Sequence, residues 1–91
     1  MVQILGPTHV LVARTYQNLG DVHLDLGELS QAKEQFDDAL NIFLKKLRPD
    51  NVNVAGAYNS LGAVHLYLGS LSQAKEFYDN ALNIRLKIFG P

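Results

Sequence analysis

Leu29-Ser30-Gln31-Ala32-Lys33-Glu34 recurs as Leu71-Ser72-Gln73-Ala74-Lys75-Glu76, and the offset between the two blocks, 42 residues, decides the fold. Extended outward at that offset, Thr8 to Pro49 aligns with Asp50 to Pro91 without a gap, and 25 of the 42 positions are identical. A period between about 20 and 50 residues marks one supersecondary unit stacked on copies of itself. In such a stack each unit touches only its neighbours, and the functional surface is the one that stacking creates. The repeat therefore points to binding rather than to catalysis.

Each unit reads as two helices. Val12, Tyr16, Leu19, Gly20, His23 and Leu26 fall at three- and four-residue steps, one face of a first helix. Thr8 or His9 begins it, with Thr8 the better cap by residue type. Gly27 ends it, where a left-handed residue is wanted. Leu29, Ala32, Phe36, Ala39, Leu40, Phe43 and Leu47 form the apolar face of a second helix, which Ser30 is placed to cap. Lys45, Lys46 and Arg48 complement the dipole at its end, and Pro49 stops it. The second unit copies this plan: Asp50 or Asn51 caps its first helix, Gly69 ends that helix, and Ser72 opens the last one. The expected helices span roughly 9–26, 29–47, 51–68 and 71–89.

Val2-Gln3-Ile4-Leu5-Gly6-Pro7 resembles Leu86-Lys87-Ile88-Phe89-Gly90-Pro91, the end of the second unit. Residues 1–7 thus read as the stub of a preceding repeat, 8–49 as repeat one and 50–91 as repeat two. The chain is expected to be a piece of a longer array.

The spaced residues carry a family resemblance. Unit one reads Tyr16-x2-Leu19-Gly20-x2-His23, then Ala32-x3-Phe36, then Ala39. Unit two reads Tyr58-x2-Leu61-Gly62-x2-His65, then Ala74-x3-Tyr78, then Ala81. This resembles the tetratricopeptide repeat, W-x2-L-G-x2-Y followed by A-x3-F. The usual period is about 34 residues. The longer period here, with a loop ending in Arg-Pro or Gly-Pro, is similar to the repeats of kinesin light chain and related cytoplasmic scaffolds. The resemblance implies an all-α, right-handed α-solenoid of two helix-turn-helix units, four antiparallel helices in all. It also implies a protein-interaction scaffold or adaptor in the cytoplasm. Gly20 and Gly62 then let helices approach, Ala32, Ala39, Ala74 and Ala81 keep the facing side small, and Tyr16 and Phe36 fill the space left. His23 and His65 depart from the family's tyrosine.

The resemblance further implies a concave groove lined by the first helix of each unit. Arg14, Gln17, Asn18, Asp21 and Asp25 lie on that face of the first helix. Gly56, Asn59, Ser60, Ala63 and Tyr67 lie there on the third. All five positions differ between the units, while the apolar positions hardly change. Asn18 and Asn59 can each donate to and accept from a peptide backbone, and kinesin-light-chain-like repeats are similar in using groove asparagines on peptides. The carboxylate clamp of chaperone-binding repeats needs Lys or Arg beside Asn; only Arg14 is available, so that clamp is disfavoured. The plainer reading of the stripe is a solvated helix face.

The residue inventory argues against an enzyme. His23 and His65 stand one repeat apart on an apolar face, without cysteine and without a carboxylate at ligand spacing, so packed histidines are expected rather than a metal site. Asp37 and Asp38 are adjacent and point to different faces. No phosphate-binding glycine loop occurs. No nucleophile-base set can be assembled from Ser30, Ser60, Ser70, Ser72 and the three histidines. No cofactor is called for. A net charge of −1 gives no reason to expect nucleic acid or an anionic membrane, and the absence of cysteine excludes thiol chemistry. Lys45, Lys46 and Arg48 read as a solvated helix end. No apolar run approaches the length of a membrane span.

The two ends of the stack are a further expectation. Leu82, Leu86 and Phe89 on the last helix lack a following unit. Val10 and Leu11, with Ile4 and Leu5 of the stub, lack a preceding one. Because the units are near copies, the end of one chain is shaped to accept the start of another. Self-association is therefore expected, with end-to-end packing favoured over exchange of helices through the Arg48-Pro49-Asp50-Asn51 hinge.

Overall fold

The computed structural model describes residue 6 and residues 8–91. The expected stub lies outside the described residues apart from Gly6. Four helices and no strand form among those residues: α1 (Val10–Asp25), α2 (Leu29–Lys46), α3 (Val52–Leu68) and α4 (Leu71–Phe89). α1 pairs with α2 and α3 with α4 as helical hairpins, and α2 packs on α3 to join them. This is the all-α architecture of two helix-turn-helix units that the period predicts.

The turn inside each hairpin is tight, and glycine makes it so. Gly27 and Gly69 adopt φ of 78° and 80°, which an L side chain resists. The residue after each glycine then serves both helices. Glu28 N–H donates back to the His23 carbonyl (2.8 Å), and the Glu28 carbonyl accepts from Ala32 N–H (3.0 Å). Ser70 repeats this between His65 and Ala74 at 2.9 Å for both bonds. That arrangement leaves Ser30 no capping role: α2 begins at Leu29, α4 at Leu71, and neither helix has a side-chain cap. The start of α1 also differs from expectation. His9 is the cap, its Nδ1 accepting from Leu11 N–H at 3.0 Å, and Thr8 precedes it. Asn51 caps α3 by accepting from Asn53 N–H at 2.8 Å. Leu47 turns to extended backbone ahead of Pro49, and a turn bond from Asn51 N–H to the Arg48 carbonyl (3.0 Å) leads into α3.

Close packing within each hairpin depends on Gly20 and Gly62. A β-carbon at Gly20 would stand 2.5 Å from Phe36 Cε1, and one at Gly62 would stand 2.9 Å from the Tyr78 ring. Phe36, fully buried, forms one core with Ala32, Leu61 and Val64, to which Leu24, Leu40 and Phe77 contribute. A second core joins Ala13, Ala39, Ile42 and Phe43 to Val54, Ala55, Ala57 and Ile84. Both cores draw on residues of both units, so each unit buries part of the other.

α3 is the central helix. It carries no charged side chain and buries Val54, Ala55, Ala57, Leu61, Gly62, Val64 and His65, because α2 covers one side and α4 the other. α1 packs broadly on α2 and meets α3 only along one edge, and it buries just Ala13 and Gly20. Leu19 and Leu26, which the spacing puts on the apolar face of α1, are exposed for that reason. The two histidines also diverge. His65 is buried and stacked on Phe77, ring centroids 5.2 Å apart, with its Nδ1 unpartnered among the described residues. His23 is only partly buried, and its Nδ1–H donates to Glu28 Oε1 at 2.9 Å. Ser70 replaces Glu28 in the second unit, so the equivalent bond cannot form there.

Candidate binding groove

α1 and α3 lie side by side, and the face they share holds two concavities. One, about 140 Å³, is lined by Arg14, Gln17 and Asn18 of α1, by Val52, Asn53 and Gly56 of α3, and by Phe43 from beneath. Gly56 matters by what it lacks: a β-carbon there would meet nothing, so the cleft is open at that point. The other concavity, about 420 Å³, lies at the opposite end of the helices. Leu24, Asp25, Gly27, Leu29 and Tyr67 line it. Tyr67 stands 69% exposed, a large aromatic surface held on a regular helix.

At the edge of the first concavity Gln17 Nε2 donates to Ser60 Oγ and closes the α1–α3 seam. Both residues belong to the expected groove face, and they bond to each other there. Gln17 Oε1 is buried without a hydrogen-bond partner among the described residues. Asn18 is exposed at the rim of the first cleft, and Arg14 is exposed beside it. Asn59 is exposed and lines neither concavity. Ala63 is half-buried, and Asp21 is exposed between the clefts. Asn53 and Val52 were missed by the sequence reading. Their counterparts in unit one, Leu11 and Val10, sit at the outer end of the stack, so comparing the two units gave no sign of a cleft there.

The acidic part of this face is electrostatically unsatisfied. Partial desolvation, and then the neighbouring Asp25 carboxylate, push the Asp21 carboxyl above its ordinary value. A carboxyl whose folded value is raised disfavours folding once it ionises. The penalty is present at neutral pH and disappears as pH falls below the unfolded-state value. Asp21→Asn is therefore expected to raise the melting temperature slightly at neutral pH, with the gain shrinking as the solution is acidified. Thermal melts of the two proteins across the carboxylate range check this; a gain that persists in acid contradicts it.

Asp37 accepts from Lys33 Nζ, and Asp79 from Lys75 Nζ, both at 2.7 Å along their own helices. Among the described residues no group of three His, Asp or Glu side chains converges as a metal site would require. No helix among them is long and apolar enough to cross a membrane.

Comparison with protein families now decides the relationship. Residues 1–45 match a tetratricopeptide repeat model, and residues 54–91 match a second tetratricopeptide repeat model. The chain belongs to the tetratricopeptide repeat family. Both matching models are of kinesin-light-chain-like type, in keeping with the 42-residue period. Comparison with the curated proteins finds no match. Tetratricopeptide repeats are generally protein-interaction modules and non-catalytic scaffolds.

Proposed function

We propose that the α1–α3 face is a peptide-binding groove of a cytoplasmic scaffold or adaptor. The observation that carries this reading is the pairing of two concavities with different chemistry on one face. One presents amide and guanidinium donors from Arg14, Asn18 and Asn53. The other presents Tyr67 and Asp25 over an apolar floor of Leu24 and Leu29. An extended peptide laid along the helices would reach both, with amide groups on its backbone at one end and a side chain against Tyr67 at the other. Exposed aromatic residues beside a pocket are the usual anchors of such contacts. A cationic ligand residue near Asp21 and Asp25 would relieve their mutual repulsion, so peptides carrying Lys or Arg at that end fit best. The unit-to-unit divergence at all five groove positions supports the same reading, because the buried framework changes little.

The test is a peptide library screened against the wild type and an Asn53→Ala/Tyr67→Ala double variant at low protein concentration. The groove reading predicts binders that lose roughly tenfold or more in affinity to the variant. Equal affinity for every binder would remove this face from consideration.

A second reading rests on a separate observation. Leu61 and Val64 on α3 are 0% exposed beneath α2, whereas their counterparts on α1, Leu19 and Val22, are 44% and 54% exposed. Leu40 of α2 is partly buried in that contact, and its counterpart Leu82 on α4 is 54% exposed. α1 and α4 thus each expose one half of the contact that joins the two units. Leu86 and Phe89 extend the exposed surface on α4. Leu11, exposed, and Val10, half-buried, extend it on α1, where a cleft of about 280 Å³ opens among Leu11, Val12, Thr15, Tyr16 and Leu19. Copies of the chain are suited to associate through these ends.

A further inference from the structure

The contact that joins α2 to α3 is a template for the contact between copies, and moving it by one 42-residue step identifies what would meet. This rests on the second reading above and goes further by fixing the register. In the internal contact, Gln17 donates across the seam to Ser60, and Phe43 fills the floor of the cleft shared with Val52, Asn53 and Gly56. One step along the chain, Asn59 takes the place of Gln17, and Arg85 takes the place of Phe43. Asn18 of a second copy takes the place of Ser60, and its Arg14 takes the place of Gly56. The apolar centre is retained, since Leu82 falls where Leu40 does and the second copy supplies Leu19 and Val22 where α3 supplies Leu61 and Val64.

We propose that α4 of one copy seats on α1 of the next in this register, with an Asn59–Asn18 amide pair at the seam and Arg85 facing Arg14 at the groove edge. The amide pair is complementary, because each side chain both donates and accepts. The arginine pair is not. Phe43 is 2% exposed in the internal contact, so its replacement must hold a guanidinium where a buried ring lies, beside a second cation. Both arginines are exposed in the single chain and free to meet solvent. Assembly brings them into one cleft, where like charges repel and dissolved salt screens them. The junction is therefore shape-complementary but charge-opposed, and ionic strength controls it. The contact is also heterologous: using one end leaves the other end open, so growth does not close at a dimer.

Sedimentation velocity from micromolar to millimolar protein, in low and high sodium chloride, tests this on the wild type, Arg85→Phe and Leu82→Glu. Arg85 and Leu82 are exposed on α4, so both variants should keep the fold, and circular dichroism checks that. The wild type should form a ladder of species that grows with concentration and strengthens roughly fivefold or more in high salt. Arg85→Phe, which restores the residue of the internal contact, should assemble more tightly and lose most of the salt dependence. Leu82→Glu should stay monomeric. Wild type and Arg85→Phe both monomeric throughout would overturn the end-to-end reading itself. Assembly that Leu82→Glu abolishes, but that neither salt nor Arg85→Phe alters, would leave end-to-end packing intact and overturn the arginine register. Assembly indifferent to Leu82→Glu would place the contact on another face and overturn both.

Discussion

Phe36→Ala is expected to cost about 3–5 kcal/mol, the range for removing a fully buried aromatic ring from a core. Small domains have about 5–15 kcal/mol in all, so the variant should melt far below the wild type or not fold at room temperature. The effect is large because of where Phe36 sits. Its ring lies over Gly20 of α1 and in the cluster that includes Leu61 and Val64 of α3, so one side chain ties three helices together. Its counterpart Tyr78 covers Gly62 in the same way but is only half-buried. Tyr78→Ala should therefore cost appreciably less, about 1–2 kcal/mol. Urea denaturation followed by circular dichroism measures both. Equal losses would mean that the inter-unit core does not carry the stability assigned to it.

Gly20→Ala should destabilise by about 1–3 kcal/mol, the usual cost of overpacking. Alanine is ordinarily the better helix former by about 1 kcal/mol, so the sign of the change separates packing from propensity. The new methyl would stand 2.5 Å from a ring that is fully enclosed and has nowhere to go. Gly62→Ala faces a softer obstacle. The Tyr78 ring is 2.9 Å away and half-exposed, so it can swing outward, and the propensity gain offsets much of the strain. Adding Phe36→Leu to Gly20→Ala should recover part of the loss, since the two changes share one contact. Leucine at Gly62 extends the obstruction past the β-carbon and should still cost about 2 kcal/mol or more. Thermal melts of these variants decide the matter; a more stable Gly20→Ala would contradict a close helix contact there.

The fold was legible because the period, the two Gly-Leu turns and the apolar spacing all pointed to the same four helices. All four observed helices start and end within about a residue of the spans read from the spacing. What was not legible depended on neighbours. Leu19 and Leu61 occupy the same place in the first helix of each unit, yet one is exposed and the other fully buried, because α3 lies between α2 and α4 whereas α1 has α2 on one side and touches α3 only at its edge. The absence of any charged residue from Val52–Leu68 was the available sign that α3 would be enclosed. The capping errors have a similar origin. Ser30 has the right side chain, but the glycine turn is so short that Glu28 already serves both helix ends. On the α1–α3 face, the resemblance put Gln17 and Ser60 side by side in the expected groove without showing that they would bond to each other.

Nuclear magnetic resonance tests whether the α1–α3 face receives the ligand. A peptide selected from the library is titrated into uniformly labelled protein at low concentration, and backbone amide shifts are followed. Binding in the groove should produce shifts centred on Arg14, Asn18, Asn53, Asp25 and Tyr67, with the outer surface of α2 and α4 unmoved. Shifts confined to that outer surface, or to Leu82, Leu86 and Phe89, with the α1–α3 face unchanged, would contradict it.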